Sequence, residues 1–194
     1  MDGSKVVNLG LAWLVAAVFL PLSAQAWDMQ SKVDSMTDES NMTATVKNGE
    51  GHTFTVYRQK DGSIWALFAL SSKTGQTLSP KTMPVIRVDK YPPNDFMHDV
   101  ELQALLAKIN GTPVSPAYLY EPKRVHAKLW HGDDAQSRAT VIDQLGQGKT
   151  LLVRYYLVTG GYKETLFALA PSGPFYQALA LSAKPARHTA NAAP

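Results

Sequence analysis

Thr53-Phe54-Thr55-Val56-Tyr57-Arg58, a break at Asp61-Gly62, then Ile64-Trp65-Ala66-Leu67-Phe68-Ala69-Leu70: these residues decide the fold class of the 194-residue chain. Both runs are rich in β-branched and aromatic residues, and the first alternates polar and apolar positions as a half-buried strand does. Asp-Gly between two such runs marks a tight hairpin, because the favoured turn needs a positive φ that glycine adopts without strain. With Asp61 and Gly62 as a two-residue loop, Arg58 falls opposite Trp65, a cation–π pair worth about 0.5–1 kcal/mol at an exposed site.

The same pattern returns near the C-terminus. Thr150-Leu151-Leu152-Val153-Arg154-Tyr155-Tyr156-Leu157-Val158 is followed by Thr159-Gly160-Gly161 and by a second run from Tyr162 to Leu169. A Gly-Gly loop predicts a hairpin that sets Tyr155 opposite Leu166 and Val153 opposite Ala168. The core face is then Leu151, Val153, Tyr155, Leu157, Leu166 and Ala168. The half-wet face is Leu152, Arg154, Tyr156, Val158, Lys163, Thr165, Phe167 and Leu169. Thr53-Phe54-Thr55-Val56 and Leu67-Phe68-Ala69-Leu70 echo Thr150-Leu151-Leu152-Val153 and Leu166-Phe167-Ala168-Leu169. One hairpin in each layer of a sandwich accounts for the echo.

Further strands are read before the first hairpin, at residues 42–46, and between the two, at Val85-Ile86-Arg87-Val88 and residues 124–130. The clearest helix is capped by Asn94 or Asp95, carries Phe96, Met97, Val100, Leu105, Leu106 and Ile109 near helical spacing, and stops at Asn110-Gly111. Prolines 113, 116 and 122 predict an irregular crossing, residues 138–145 fit either helix or strand, and a short helix is expected over residues 175–182. The fold class is therefore mainly β: a two-layer antiparallel sandwich with one inserted helix and a short C-terminal helix.

Composition narrows the function. The chain is 45% hydrophobic and 18% charged, outside the range of disordered sequences. It contains no cysteine, which removes disulfide scaffolds, thiolate metal sites and cysteine nucleophiles. The formal charge of +3 is scattered, so nucleic acid is not expected as a partner. Residues 1–26 read as a secretory signal: Lys5, an apolar run over residues 6–22, and Ala24-Gln25-Ala26 at the cleavage site. Cleavage leaves a single β-rich domain over residues 27–183 and a flexible tail over 184–194. No second apolar stretch reaches the roughly 20 residues a membrane span needs, so the expected location is periplasmic or secreted.

Motifs for chemistry are sparse. Gly146-Gln147-Gly148-Lys149-Thr150 ends like a nucleotide-binding loop, yet the required earlier glycine is Asp143 and a strand follows instead of a helix. His126 and His131, with Asp133, have the chemistry of a metal site, although residues five apart on a strand face opposite sides. No Gly-x-Ser-x-Gly, Ser-x-x-Lys or His-Glu-x-x-His signature is present. What remains is surface character: Arg58 with Trp65, and Arg154 and Lys163 with Tyr156, set cations beside aromatics on sheet faces, a composition common at protein contacts.

The order of Trp27, Met36-Thr37-Asp38, Val56-Tyr57-Arg58, Arg87-Val88-Asp89, a middle helix, Leu152-Val153-Arg154, Leu166-Phe167-Ala168-Leu169 and Gln177-Ala178-Leu179 resembles two bacterial families. These are the invasion-associated locus B proteins and the periplasmic accessory proteins of type VI secretion. The resemblance implies an exported sandwich without catalytic residues, acting at the envelope or in secretion. The expectation is a periplasmic binding or assembly protein with no cofactor and an envelope or secretion protein as partner, using Arg58, Trp65, Arg154, Tyr156 and Lys163. The rival expectation is a periplasmic hydrolase or metal-binding protein built on loop residues around His98, His126 and His131.

Overall fold

Three hairpins of the chain close with the same turn, and that turn sets the register of their paired strands. The computed structural model describes residues 27–34, 39–96, 105, 108–109, 118–130, 140–171 and 173–180. Strands β1 (Asp28–Asp34), β2 (Glu39–Lys47), β3 (Thr53–Arg58), β4 (Ile64–Ala69), β7 (Tyr118–Glu121) and β8 (Arg124–Trp130) form one antiparallel sheet, in the order β1-β2-β3-β4-β8-β7. A second antiparallel sheet has the order β10-β9-β5-β6, from β5 (Val85–Val88), β6 (Asn94–Asp95), β9 (Thr150–Tyr156) and β10 (Tyr162–Ala168). Helices α1 (Thr140–Gln147) and α2 (Gly173–Ala178) accompany them. The mainly β sandwich read from the sequence is therefore the observed architecture. The two echoing hairpins stand one in each sheet.

Between β2 and β3, between β3 and β4, and between β9 and β10 the loop is three residues long. The amide of the residue before each loop donates across it, Asn48 to His52, Gln59 to Ser63 and Leu157 to Gly161, and the third loop residue donates back to that first residue. That third residue is a glycine with positive φ each time: Gly51 at 82°, Gly62 at 85° and Gly160 at 90°. A type I turn followed by a left-handed glycine is the standard three-residue solution, and it shifts pairing by an odd number of residues relative to a two-residue loop. Arg58 consequently stands opposite Ile64, and Trp65 opposite Tyr57, so the expected Arg58–Trp65 pair does not form. In the second hairpin Tyr155 pairs with Lys163 and Leu151 with Phe167. The expected faces of β9 hold, but those of β10 exchange: Phe167 is buried and Leu166 is 61% exposed.

One contiguous core lies between the sheets. Phe54 and Phe68 of the large sheet meet Phe167 of the small one at 6.3 and 6.5 Å between ring centroids, and Tyr155 lies 5.2 Å from Phe68. The echoing Phe68 and Phe167 thus touch edge to face across the sandwich. Each such buried side chain contributes about 1.5–3 kcal/mol. At the open end, Trp27 stacks 4.8 Å from Phe175 of α2. A bulge between Ile64 and Trp65 in their pairing with β8 leaves Leu129 without an opposite residue, so that consecutive Leu129 and Trp130 are both buried.

Elsewhere the structure corrects the expected elements. Asn94 and Asp95, read as helix caps, pair with Ile86 and Val85 as β6. Residues 96, 105, 108 and 109 are helical and the rest of the expected helix lies outside the described residues. Phe96 is buried, but Leu105 and Ile109 are exposed. The proline-rich crossing contains β7, which Pro122 permits because it occupies the turn into β8. Of the ambiguous residues 138–145, those from 140 onward belong to α1, and 138–139 lie outside the described residues. No helix among the described residues is long and apolar enough to cross a membrane. The expected leader and tail lie outside the described residues.

The register makes opposite demands on two neighbours. Phe167→Ala should cost about 3–5 kcal/mol in urea denaturation, whereas Leu166→Ala should stay within about 0.5 kcal/mol. The reverse order would indicate the register of a two-residue loop.

Candidate functional site

The odd-numbered residues of β9 face the core, so Leu152, Arg154 and Tyr156 point outward. Directly opposite them on β10 are Leu166, Glu164 and Tyr162. Arg154 Nε and Nη2 donate to Glu164 Oε1 at 2.8 and 2.6 Å, and the guanidinium lies 4.6 Å from the Tyr162 ring centroid. Tyr162 meets Tyr156 edge to face at 6.2 Å. Hydrogen bonding to Glu164, against a smaller effect of desolvation, raises the Arg154 pKa further above its already high value. Exposed Tyr162, Leu166 and Val158 give this face three large apolar side chains around one ordered ion pair.

Of the five residues singled out in sequence, Arg154 and Tyr156 come together here. Lys163 follows the opposite alternation and lines a cleft on the inward side of β10. Arg58 and Trp65 belong to the other sheet. Arg58 Nη1 donates to the carbonyls of Leu179 and Ala180, each at 3.2 Å, and so satisfies two carbonyls just past α2. Trp65 is only 4% exposed; its Nε1 donates to Ser63 Oγ at 2.8 Å and Lys128 Nζ lies 5.2 Å from its ring. The expectation that Trp65 presents an open aromatic patch is corrected by that burial.

Sequence reading passed over His52. The three-residue turn at 49–51 delivers it to the edge of the core, beside Phe68 and Tyr155. The Ser71 amide donates to Nδ1 at 2.9 Å, which places the ring proton on Nε2, and Nε2 donates to Glu50 Oε2 at 3.0 Å. Both nitrogens are thereby engaged, so this imidazole has no lone pair left to accept a proton from a nucleophile. Above it opens a cleft of about 410 Å³ lined by Glu50, His52, Thr74, Gln76, Tyr155, Lys163 and Glu164. Burial, and then the Glu50 charge, push the Tyr155 phenol above its usual pKa. A neighbouring recess of about 360 Å³ is bounded by Asn48, Gly49, Glu50, Leu152, Glu164, Thr165 and Leu166. The sequence signal for this site was the Asn48-Gly49-Glu50-Gly51-His52 turn itself.

The candidate metal and hydrolase residues are only partly placed. His98, His131 and Asp133 lie outside the described residues. His126 Nδ1 is 2.8 Å from Tyr57 Oη on the outer face of the large sheet, where desolvation lowers its pKa. Among the described residues, no group of three histidine, aspartate or glutamate side chains is arranged to hold a metal. The Gly-Lys-Thr segment has a structural explanation. Asp89 takes the place of an external anion, accepting from the Lys149 and Thr150 amides at 3.2 and 2.8 Å and from Thr150 Oγ1 at 2.9 Å. It does so from a left-handed backbone conformation, φ 47°.

No protein-family model, curated protein or solved structure matches the chain.

Two substitutions test these local accounts. Asp89→Ala should destabilise the fold by about 1–3 kcal/mol, because it strips several donors of their acceptor. Asp89→Asn keeps one acceptor and a tolerance for left-handed φ, and should cost less than half as much. Equal losses in thermal denaturation would refute the anion-like role. His126 has a depressed pKa, so its contribution is complete above the ordinary value of about 6.5 and is lost as pH falls through the folded value. Wild-type stability should thus decline below about pH 6.5 more steeply than that of His126→Gln; parallel profiles in chemical denaturation would remove the assignment.

Proposed function

We propose that the protein is an exported, non-catalytic binding domain of the bacterial envelope, and that it captures a protein partner on the outer face of the small sheet. The observation that carries this reading is the exposure of Tyr162 (58%) and Leu166 (61%) beside the Arg154–Glu164 pair. Tyrosine and arginine are enriched where interfaces concentrate binding energy, and a rigid strand surface presents them at low entropic cost. The leader-like residues 1–26 support export. Secretion-system assembly fits the same reading through the resemblance of residue order noted above.

A photo-crosslinking amino acid placed at Val158 should trap a partner in the envelope fraction. The double substitution Tyr162→Ser and Leu166→Asp should reduce that product at least about tenfold while leaving the melting temperature within a few degrees. Leu119→Asp, at an exposed position on the large sheet, should leave it intact. Equal trapping by all three proteins would dismiss the face as the binding site. Mass analysis of the exported protein should find Trp27 at its N-terminus; an intact chain confined to the cytoplasm would overturn the export reading.

A further inference from the structure

We infer that Asn48 is a site of spontaneous covalent modification, losing its amide nitrogen by way of a cyclic imide formed with Gly49, and that the junction between the two sheets holds this reaction back. The chemistry requires only water and is independent of any partner.

Sequence and turn supply the reacting atoms. Asparagine is a thermolabile residue, and attack by the following backbone nitrogen is easiest when that residue is glycine, because no Cβ crowds the approach. Asn48-Gly49 and Asn110-Gly111 are the two such pairs of the chain, and the second lies outside the described residues. Gly49 is exposed in the turn after β2, and a Cβ at that position would meet nothing within 4 Å, so water and base reach its peptide group. A base removes the Gly49 amide proton and the nitrogen attacks Asn48 Cγ. The new C–N bond closes the imide ring, the Cγ–Nδ2 bond breaks, and Nδ2 leaves as ammonia. Water then opens the ring at either carbonyl. Release of the ring nitrogen from Cγ gives aspartate; release from the backbone carbonyl carbon gives isoaspartate, with the chain running through Cγ. Neither step oxidises or reduces any atom.

The fold opposes the attack. Asn48 Oδ1 accepts from the His52 amide at 3.0 Å, while Nδ2 donates to Thr165 Oγ1 at 2.6 Å and to the Leu166 carbonyl at 3.2 Å. Thr165 is buried, so water does not readily replace its bond to Nδ2. Bringing Cγ to the Gly49 nitrogen requires the amide to leave β10, and the reaction therefore proceeds from an opened junction, at a rate scaled by the population of that state. The two products act differently. Aspartate keeps an acceptor for the His52 amide, and the Thr165 hydroxyl turns to donate to it, but a carboxylate oxygen then meets the Leu166 carbonyl. Isoaspartate lengthens the backbone of a turn whose length fixes the β2–β3 register, so it loosens that pairing as well.

The test is to age the full chain in mildly alkaline buffer, folded and in concentrated urea, and to quantify aspartate and isoaspartate at position 48 by peptide mapping, which separates it from position 110. Product should form in both states, at least about tenfold more slowly in the folded chain. Thr165→Val removes the acceptor on β10 and should raise the folded rate at least about threefold without changing the rate in urea, whereas Thr165→Ser should restore it. Urea below the unfolding transition should accelerate the wild-type reaction, a measurement that needs no variant to fold. Gly49 has no positive φ and open space around it, so Gly49→Ala should melt within a few degrees of the fresh wild type while forming product at least about tenfold more slowly in both states. Wild-type protein enriched in isoaspartate should melt at least about 3 °C below fresh protein. Absence of product at position 48 in urea would overturn the site. Equal rates folded and unfolded, or a folded rate indifferent to dilute urea and to Thr165→Val, would overturn the protection by the sheet junction. An isoaspartate-rich sample that melts like fresh protein would overturn the coupling to the turn.

Discussion

The left-handed glycine at the third position of three tight turns is the constraint on which the pairing of their strands depends. Gly51, Gly62 and Gly160 each close a three-residue loop, and the length of that loop decides which residues share a face. Because side chains alternate with a period of two, one extra residue in the turn exchanges the inside and outside of the following strand. Phe167 enters the core and Leu166 leaves it for this reason alone. The outer face of the small sheet, the cleft over His52 and the aromatic contact between the sheets all inherit their composition from turn geometry.

The strands themselves were legible in the sequence. Runs such as 53–58, 64–69, 124–130 and 150–156 combine β-branched and aromatic residues, and their existence follows from local composition. Their pairing was less legible, because Asp61-Gly62 and Gly160-Gly161 satisfy both two-residue and three-residue turns. The distinction lies in whether Lys60 in the first hairpin, and Val158 and Thr159 in the second, join the ladder or the loop. That is settled by twist and by the core, which local sequence does not encode. β7 and β6 were missed for a related cause: strands of four and two residues beside prolines carry too little pattern and are stabilised by their partners.

The candidate site divides along the same line. Arg154 and Tyr156 were found because alternation on β9 is strict and independent of register. Lys163 was assigned to the wrong face, and Glu164, Tyr162 and Leu166 were not seen as its counterpart, because their positions depend on the turn. Trp65 was misread as exposed since a large aromatic on the outer alternation is expected to be wet, while here Lys128 and Ser63 hold it under cover. His52 escaped notice because its meaning comes from Ser71, distant in sequence and adjacent in space.

Asn48 has a further consequence. Its side chain reaches from the turn of one sheet to Thr165 and Leu166 of the other, at 2.6 and 3.2 Å. An unprotected edge strand carrying exposed leucine and tyrosine is a template for runaway stacking, the hazard that β-rich proteins must suppress. By occupying one carbonyl near the end of the row, this amide interrupts the continuous register a fibril requires. A single asparagine thereby works against polymerisation at an edge that no strand among the described residues covers.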